Sequence, residues 1–182
     1  MNFLRDVYSA DLLANPIHLG GPGHIVAIDE SVVARRQRGN QQGCAINQQW
    51  VFGGVDLGTK DFFIELVPRR DAATLIPIIQ RMILPGTRIW SDEWAAYNSL
   101  PAIGYPHETV NHTVQYVEPL TRCHTNDIES RWRTCKAIFK RQNGVPRKYL
   151  PNYLDEYMWR TRRNHGDMLP DILAAIRWQY PV

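Results

Sequence analysis

Asp29, Asp92 and Glu129 are acidic residues whose settings could support chemistry. Two of them close apolar runs: His24-Ile25-Val26-Ala27-Ile28 leads into Asp29-Glu30, and Thr87-Arg88-Ile89-Trp90-Ser91 leads into Asp92. Such runs are expected of buried strands, so the recurring pattern is strand followed by carboxylate. Glu129 lies near the start of a segment with helical spacing. If these elements meet, three hard oxygen donors can hold two Mg²⁺ or Mn²⁺ ions about 4 Å apart. One ion would activate an attacking oxygen and the other would stabilise the leaving oxygen of a phosphodiester. Asp29 would bridge both ions from a central strand, Asp92 would bind from the adjacent strand end, and Glu129 would reach in from the helix. Without cations, clustered carboxylates repel one another and raise at least one pKa. Each acid also has a simpler role open to it. Asp29 or Glu30 could begin a solvated loop, Asp92 could cap a helix, and Glu129 stands three residues after Asn126, at capping-box spacing.

The elements that would position these acids can be read along the chain. After Gly20-Gly21-Pro22-Gly23 comes the first core strand, His24 to Ile28, and then a basic, Gln- and Gly-rich loop or hairpin from Arg35 to Gln49. Trp50–Asp56 and Phe62–Val67 read as two further strands joined by the turn Leu57-Gly58-Thr59-Lys60-Asp61, so the first three strands are expected to be antiparallel. Asp71 caps a helix with apolar positions Leu75, Ile78, Ile79 and Met82, stopped by Pro85-Gly86. The strand ending at Asp92 leads into a helix-like stretch, Glu93–Leu100, and a short strand around Glu108–Asn111. A long helix runs from Asp127 to about Gln142 with Asn126 as its cap and Ile128, Trp132, Cys135 and Phe139 as its apolar stripe. Glu129, Arg133, Lys136 and Lys140 repeat the same intervals one position on, which places an acid and then a trail of cations on the neighbouring face. A second amphipathic helix spans Leu150 to Met158, and a short one Asp171 to Trp178. The expected class is α/β, a mixed sheet flanked by helices.

Composition narrows the functional classes. The 182 residues suit a globular domain and hold no apolar run of membrane-spanning length, and the start lacks the order of a secretory signal. An intracellular protein with no membrane partner is expected. Cys44, Cys123 and Cys135 form an odd set without a C-x-x-C pair, which argues against a disulfide framework or structural zinc. Residues 131–163 carry ten basic groups against two acids, a local charge of +8 within a chain of net +3. That segment, including Arg133, Lys136, Lys140 and Arg141, is either a solvated helix surface or a phosphate-binding face. Arg35, Arg36 and Arg38, in the loop beside the first aspartate, could likewise contact phosphate or simply face water. Trp90, Trp94 and Trp132 recur at apolar positions and are expected to pack in the core.

Several motifs occur in order. Gly20-Gly21-Pro22-Gly23 precedes Ile28-Asp29-Glu30-Ser31, then Gln49-Trp50-Val51-Phe52-Gly53-Gly54, and Pro85-Gly86 before Ser91-Asp92-Glu93-Trp94-Ala95-Ala96-Tyr97. Gly104-Tyr105, Val110-Asn111-His112-Thr113, His124-Thr125-Asn126-Asp127-Ile128-Glu129-Ser130-Arg131-Trp132 and Tyr153-Leu154-Asp155-Glu156-Tyr157-Met158-Trp159-Arg160 follow. Over about Gly20 to Asn164 the chain resembles Merlin-type DDE transposases and the related bacterial insertion-sequence transposases. The resemblance implies a ribonuclease H-like fold, Mg²⁺- or Mn²⁺-dependent cutting of transposon ends, and strand transfer into double-stranded target DNA by direct transesterification. The family's acids fall on Asp29, Asp92 and Glu129, and the 36 residues between the last two look like the interval such enzymes use. His112, His124 and Asn126 lie in family motifs, where the histidines could contact the scissile phosphate, orient an acid or be structural.

The resemblance divides the chain into a leader or remnant at 1–19, a catalytic domain at 20–164 and a tail with a short helix at 165–182. It implies an amino-terminal DNA-recognition module that the first twenty residues do not supply, so a fragment, a decayed copy or a host-recruited gene is expected. Relatives of this kind work as multimers, which makes a homo-oligomer an expectation. In a eukaryotic host the location would be the nucleus. The alternative to a transposase is a domesticated or decayed module that keeps the fold and binds DNA without catalysis.

Overall fold

The computed structural model describes residues 3–35, 48–110, 123–142, 145–163 and 168–181. Its elements in chain order are α1 (Phe3–Ala14), β1 (Leu19–Gly20), β2 (Ile25–Arg35), β3 (Gln48–Asp56), β4 (Phe62–Val67), α2 (Ala72–Met82), β5 (Ile83–Leu84), β6 (Arg88–Asp92), β7 (His107–Val110), α3 (Asn126–Arg141), α4 (Leu150–Arg162) and α5 (Leu169–Gln179). They group into two compact units, His18–Gly144 and the paired segments Met1–Ile17 with Val145–Val182.

The larger unit is built on a five-stranded sheet of order β4-β3-β2-β6-β7. As the turn chemistry implied, β2, β3 and β4 are antiparallel, while β6 and β7 add in parallel on the other side of β2. The central strand is apolar on both faces because both are covered, and Val26, Ala27 and Ile28 are fully buried. The β3–β4 turn is held by Asp56, whose carboxylate accepts the Gly58 and Thr59 amides at 2.8 and 3.1 Å. Asp71 caps α2 as its position predicts, accepting the Thr74 amide at 2.9 Å, and Leu75, Ile78 and Ile79 are buried. On α3 the predicted stripe Ile128, Trp132, Cys135 and Phe139 is the buried face.

Three local expectations are corrected. The first strand does not stop at Asp29. β2 continues to Arg35, with a bulge between Val32 and Ala34, because its antiparallel ladder with β3 is made of backbone bonds that polar side chains do not interrupt. Glu93–Leu100 is not a continuous helix. Trp94 is extended, and 3₁₀ turns at Ala95–Tyr97 and Pro101–Ile103 replace it, the interval before Pro101 being too short to repay helix nucleation. The α3 cap is Thr125 rather than Asn126, since the Thr125 carbonyl already accepts the Glu129 amide at 3.0 Å.

The smaller unit packs α1 with α4 and α5. The segment expected as a leader is thus helical, with Val7 and Tyr8 buried and the Tyr8 ring 4.4 Å from that of Trp159. Polar ties reinforce the pairing: Arg5 to Glu156 at 2.7 Å, Trp159 Nε1 to Asp11 at 2.8 Å, and Arg163 to Asp11 at 2.7 Å. Residues 145–162, grouped above with the acids, cluster here with residues 1–17. Among the described residues no helix is long and apolar enough to cross a membrane.

Candidate active site

The β2–β6 ladder runs from Ile25↔Arg88 to Ala27↔Trp90, whereas the β2–β3 ladder continues through Asp29↔Gly53 and Glu30↔Phe52. Extending the parallel register by two residues sets Asp29 beside Asp92, the last residue of β6. The two aspartates therefore come from neighbouring strands at the point where those strands part. Asp92 is steadied by its own turn, its Oδ1 accepting the Trp94 amide at 3.1 Å.

Side chains alternate across a strand, and directly paired residues share a face, so Asp29 and Gly53 point the same way. That face is crossed by α3. The Trp132 indole donates from Nε1 to Asp29 Oδ2 at 2.8 Å. The same ring lies over Gly53, where a Cβ would come within 2.8 Å of the Trp132 ring and 2.7 Å of the Phe63 carbonyl oxygen. Glu129, three residues before Trp132, is one turn away on the same side of the helix. Its Oε1 accepts the Thr125 hydroxyl at 2.9 Å. Gly53→Ala should therefore lift α3 from the sheet and cost about 1–3 kcal/mol, seen as a lower thermal unfolding midpoint. An unchanged midpoint would mean that the ring has room to move.

The electrostatics report the convergence of the acids. Burial pushes the Asp29 carboxyl up to about 7, against the Trp132 hydrogen bond that lowers it, and the charges of Asp92 and Glu129 push it further in the same direction. Of the three acids, Asp29 thus feels the charges of the other two. The three are not drawn into a closed cage: among the described residues no group of three or more His, Cys, Asp or Glu is close enough to hold a metal ion. The donor set itself, three carboxylates, has the hard-oxygen chemistry that Mg²⁺ and Mn²⁺ require.

Glu30 was missed as a site residue. It faces away from Asp29, and its side chain is 3% exposed. The Tyr97 hydroxyl donates to it, and the Arg70 guanidinium stands 4.0 Å off. Burial, followed by the charges of Asp29 and Asp92, raises its carboxyl to about 8 against the pull of Arg70. Arg70 lies between the rings of Trp50 and Trp94, 4.0 and 4.7 Å from their centroids. Trp94, expected in the core, is 39% exposed and braced by its indole N–H on the Arg70 carbonyl at 2.8 Å. The Asp-Glu and Asp-Glu-Trp motifs signalled both neighbourhoods, but not these partners.

The remaining candidates divide. Arg133, Lys136, Lys140 and Arg141 are exposed along α3 beyond Glu129, and Asn126 is exposed at its first residue. His124 is half-buried, its ring edge-on to Trp90 at 5.3 Å, and its Nδ1 is buried without a hydrogen-bond partner among the described residues. Arg35 ends β2. Arg36, Arg38 and His112 lie outside the described residues. Cys123 and Cys135 are buried, and burial pushes the Cys135 thiol up to about 12.

A five-stranded mixed sheet flanked by helices is the ribonuclease H-like architecture of retroviral integrase catalytic cores. The BIV integrase catalytic core superposes with a TM-score of 0.51 at 12% identity, covering 86% of this chain and 98% of that one. The HTLV-2 integrase core in complex with magnesium gives 0.49 at 13% identity, over 78% and 88%. Within that class the chain belongs to the ISXO2-like transposase domain family, whose model matches residues 18–162. A transposase-like protein of Haemophilus influenzae is 30% identical over 95 residues, 52% of this chain and 76% of that protein.

Proposed function

We propose that this domain cuts and joins DNA strands in transposition, using divalent metal ions held by Asp29, Asp92 and Glu129, as in the Merlin-type kinship its motifs resemble. The observation that supports this reading is the register that sets Asp29 beside Asp92 where β2 and β6 part, with Glu129 on the helix crossing the same face and both charges felt at Asp29. When bound, Mg²⁺ or Mn²⁺ would make a water or a DNA 3′-hydroxyl nucleophilic at neutral pH and neutralise the charge gathering at the leaving oxygen. The protein's own part is placement. The strand ladders set Asp29 beside Asp92, and Trp132 orients the Asp29 carboxylate. Arg133, Lys136, Lys140 and Arg141 offer cations along α3 to successive phosphates of a bound duplex. An intracellular setting, nuclear in a eukaryotic host, and assembly as a homo-oligomer on paired DNA ends belong to the same proposal.

One observation favours a second reading, a DNA-binding module without catalysis: the acids are not closed into a metal-holding group among the described residues. The two readings part in one experiment. Supercoiled plasmid is incubated with the protein and Mn²⁺, with and without chelator, and binding to the same DNA is followed against salt. Metal-dependent nicking supports the transposase. Salt-sensitive binding without nicking supports the module.

A further inference from the structure

Trp132, on the helix that carries Glu129, touches the strands that carry and flank Asp29. Its indole N–H holds Asp29 Oδ2 at 2.8 Å, and its ring fills the space left by the missing Cβ of Gly53. It is only 3% exposed, so both contacts are made in a packed setting. Glu129 sits one helical turn away on α3, so the depth at which the ring seats on β3 also sets how far Glu129 reaches over the sheet. An apolar stripe needs only bulk at this position. A phenylalanine would satisfy the packing and leave Asp29 without its donor.

We propose that Trp132 is a positioning residue that ties Asp29 to the helix carrying Glu129, so that a divalent cation meets an Asp29 carboxylate already held in one orientation. The inference rests on the metal-dependent reading above and adds a residue outside the acidic trio. Groups that orient metal ligands typically change metal affinity by about ten- to a hundredfold when removed. The indole N–H offers a direct reporter, because a donor to a carboxylate feels any cation that carboxylate binds.

Indole N–H resonances are recorded by NMR in the ¹⁵N-labelled full chain while MgCl₂ is added. The Trp132 resonance should move with Mg²⁺ concentration and cease to do so in Asp29→Asn. Trp159, whose indole donates to Asp11 at 2.8 Å in the other unit, should stay put as the internal control. Calorimetric titration with Mn²⁺ should show Trp132→Phe binding about tenfold more weakly than the parent. If the parent binds Mn²⁺, Asp29→Asn does not, and Trp132→Phe matches the parent, the positioning role is overturned while the metal site stands. If the parent itself binds no divalent cation, the metal-dependent reading falls and takes this inference with it. Should Trp132→Phe fail to fold, the parent's Trp132 resonance decides alone: a shift lost in Asp29→Asn upholds the coupling, and indifference to Mg²⁺ refutes it.

Discussion

Asp92→Asn is expected to lower Mn²⁺-dependent nicking of supercoiled DNA by on the order of a thousandfold or more. The substitution is well matched to the question. Asparagine keeps an Oδ1 that can accept the Trp94 amide, so the turn leaving β6 survives. What disappears is one negative charge and one anionic oxygen donor. Hard cations are held chiefly by such oxygens, and an amide is a poor replacement at a site that must offset the charge of a reacting phosphate. The fold should be indifferent, with the parent's circular dichroism spectrum and thermal midpoint retained. Initial nicking rates of the two proteins at equal concentration make the comparison, and equal rates would remove Asp92 from the chemistry.

Asp29→Asn should make the protein more stable at pH 8 by on the order of 2–4 kcal/mol, and nearly unchanged near pH 3.5. The direction follows from the proton inventory. In the folded chain the Asp29 carboxyl keeps its proton up to about pH 7, because burial and the charges of Asp92 and Glu129 oppose ionisation, whereas its ordinary value is 3.8. Between those values the folded state binds the proton that the unfolded state has released. Stability therefore falls as pH rises from about 4 to about 7 and levels off beyond. Glu30 adds a like decline from its ordinary 4.5 to about 8. The asparagine variant sheds the first part and, by removing the Asp29 charge, reduces the second, so its stability curve should flatten but retain the share of the Glu30 slope that burial sustains. Urea unfolding at the two pH values measures the difference. A loss of stability at pH 8, or an equal gain at both, would contradict the opposed ionisation of Asp29 in the folded chain.

The parts of this structure that were legible in the sequence are those governed by repetition along the chain. The stripe on α3 had the 3.6-residue spacing and is buried as that spacing requires, and Asp71 stood where an N-cap must stand. The two strands joined across Leu57–Asp61 were announced by their turn residues. Asp29, Asp92 and Glu129 could be singled out because two closed apolar runs and the third opened a helix. Less legible was anything set by backbone pairing or by distant neighbours. The length of β2 was hidden because Asp29 and Glu30 look like the end of a strand, while the β3 ladder carries on past them. The burial of Glu30 depends on Tyr97 and Arg70, which nothing near residue 30 reveals. Trp132 read as one more apolar residue in a stripe, and its N–H to Asp29 spans 103 positions in sequence. Trp94 left the core because the chain turns after Asp92 instead of entering a helix.

The docking of α3 onto Gly53 has a bearing on how such a protein is made. Asp29 and Asp92 emerge from the ribosome well before Glu129, and the sheet that carries them can begin to assemble while the later helix is still inside the exit tunnel. A nascent chain would then possess two of its three acids and no means of closing on a cation. In the transposase proposed above, the capacity to cut DNA would be withheld until the chain has been translated past Trp132 and that indole has found its seat, and unfinished molecules would be harmless to the genome.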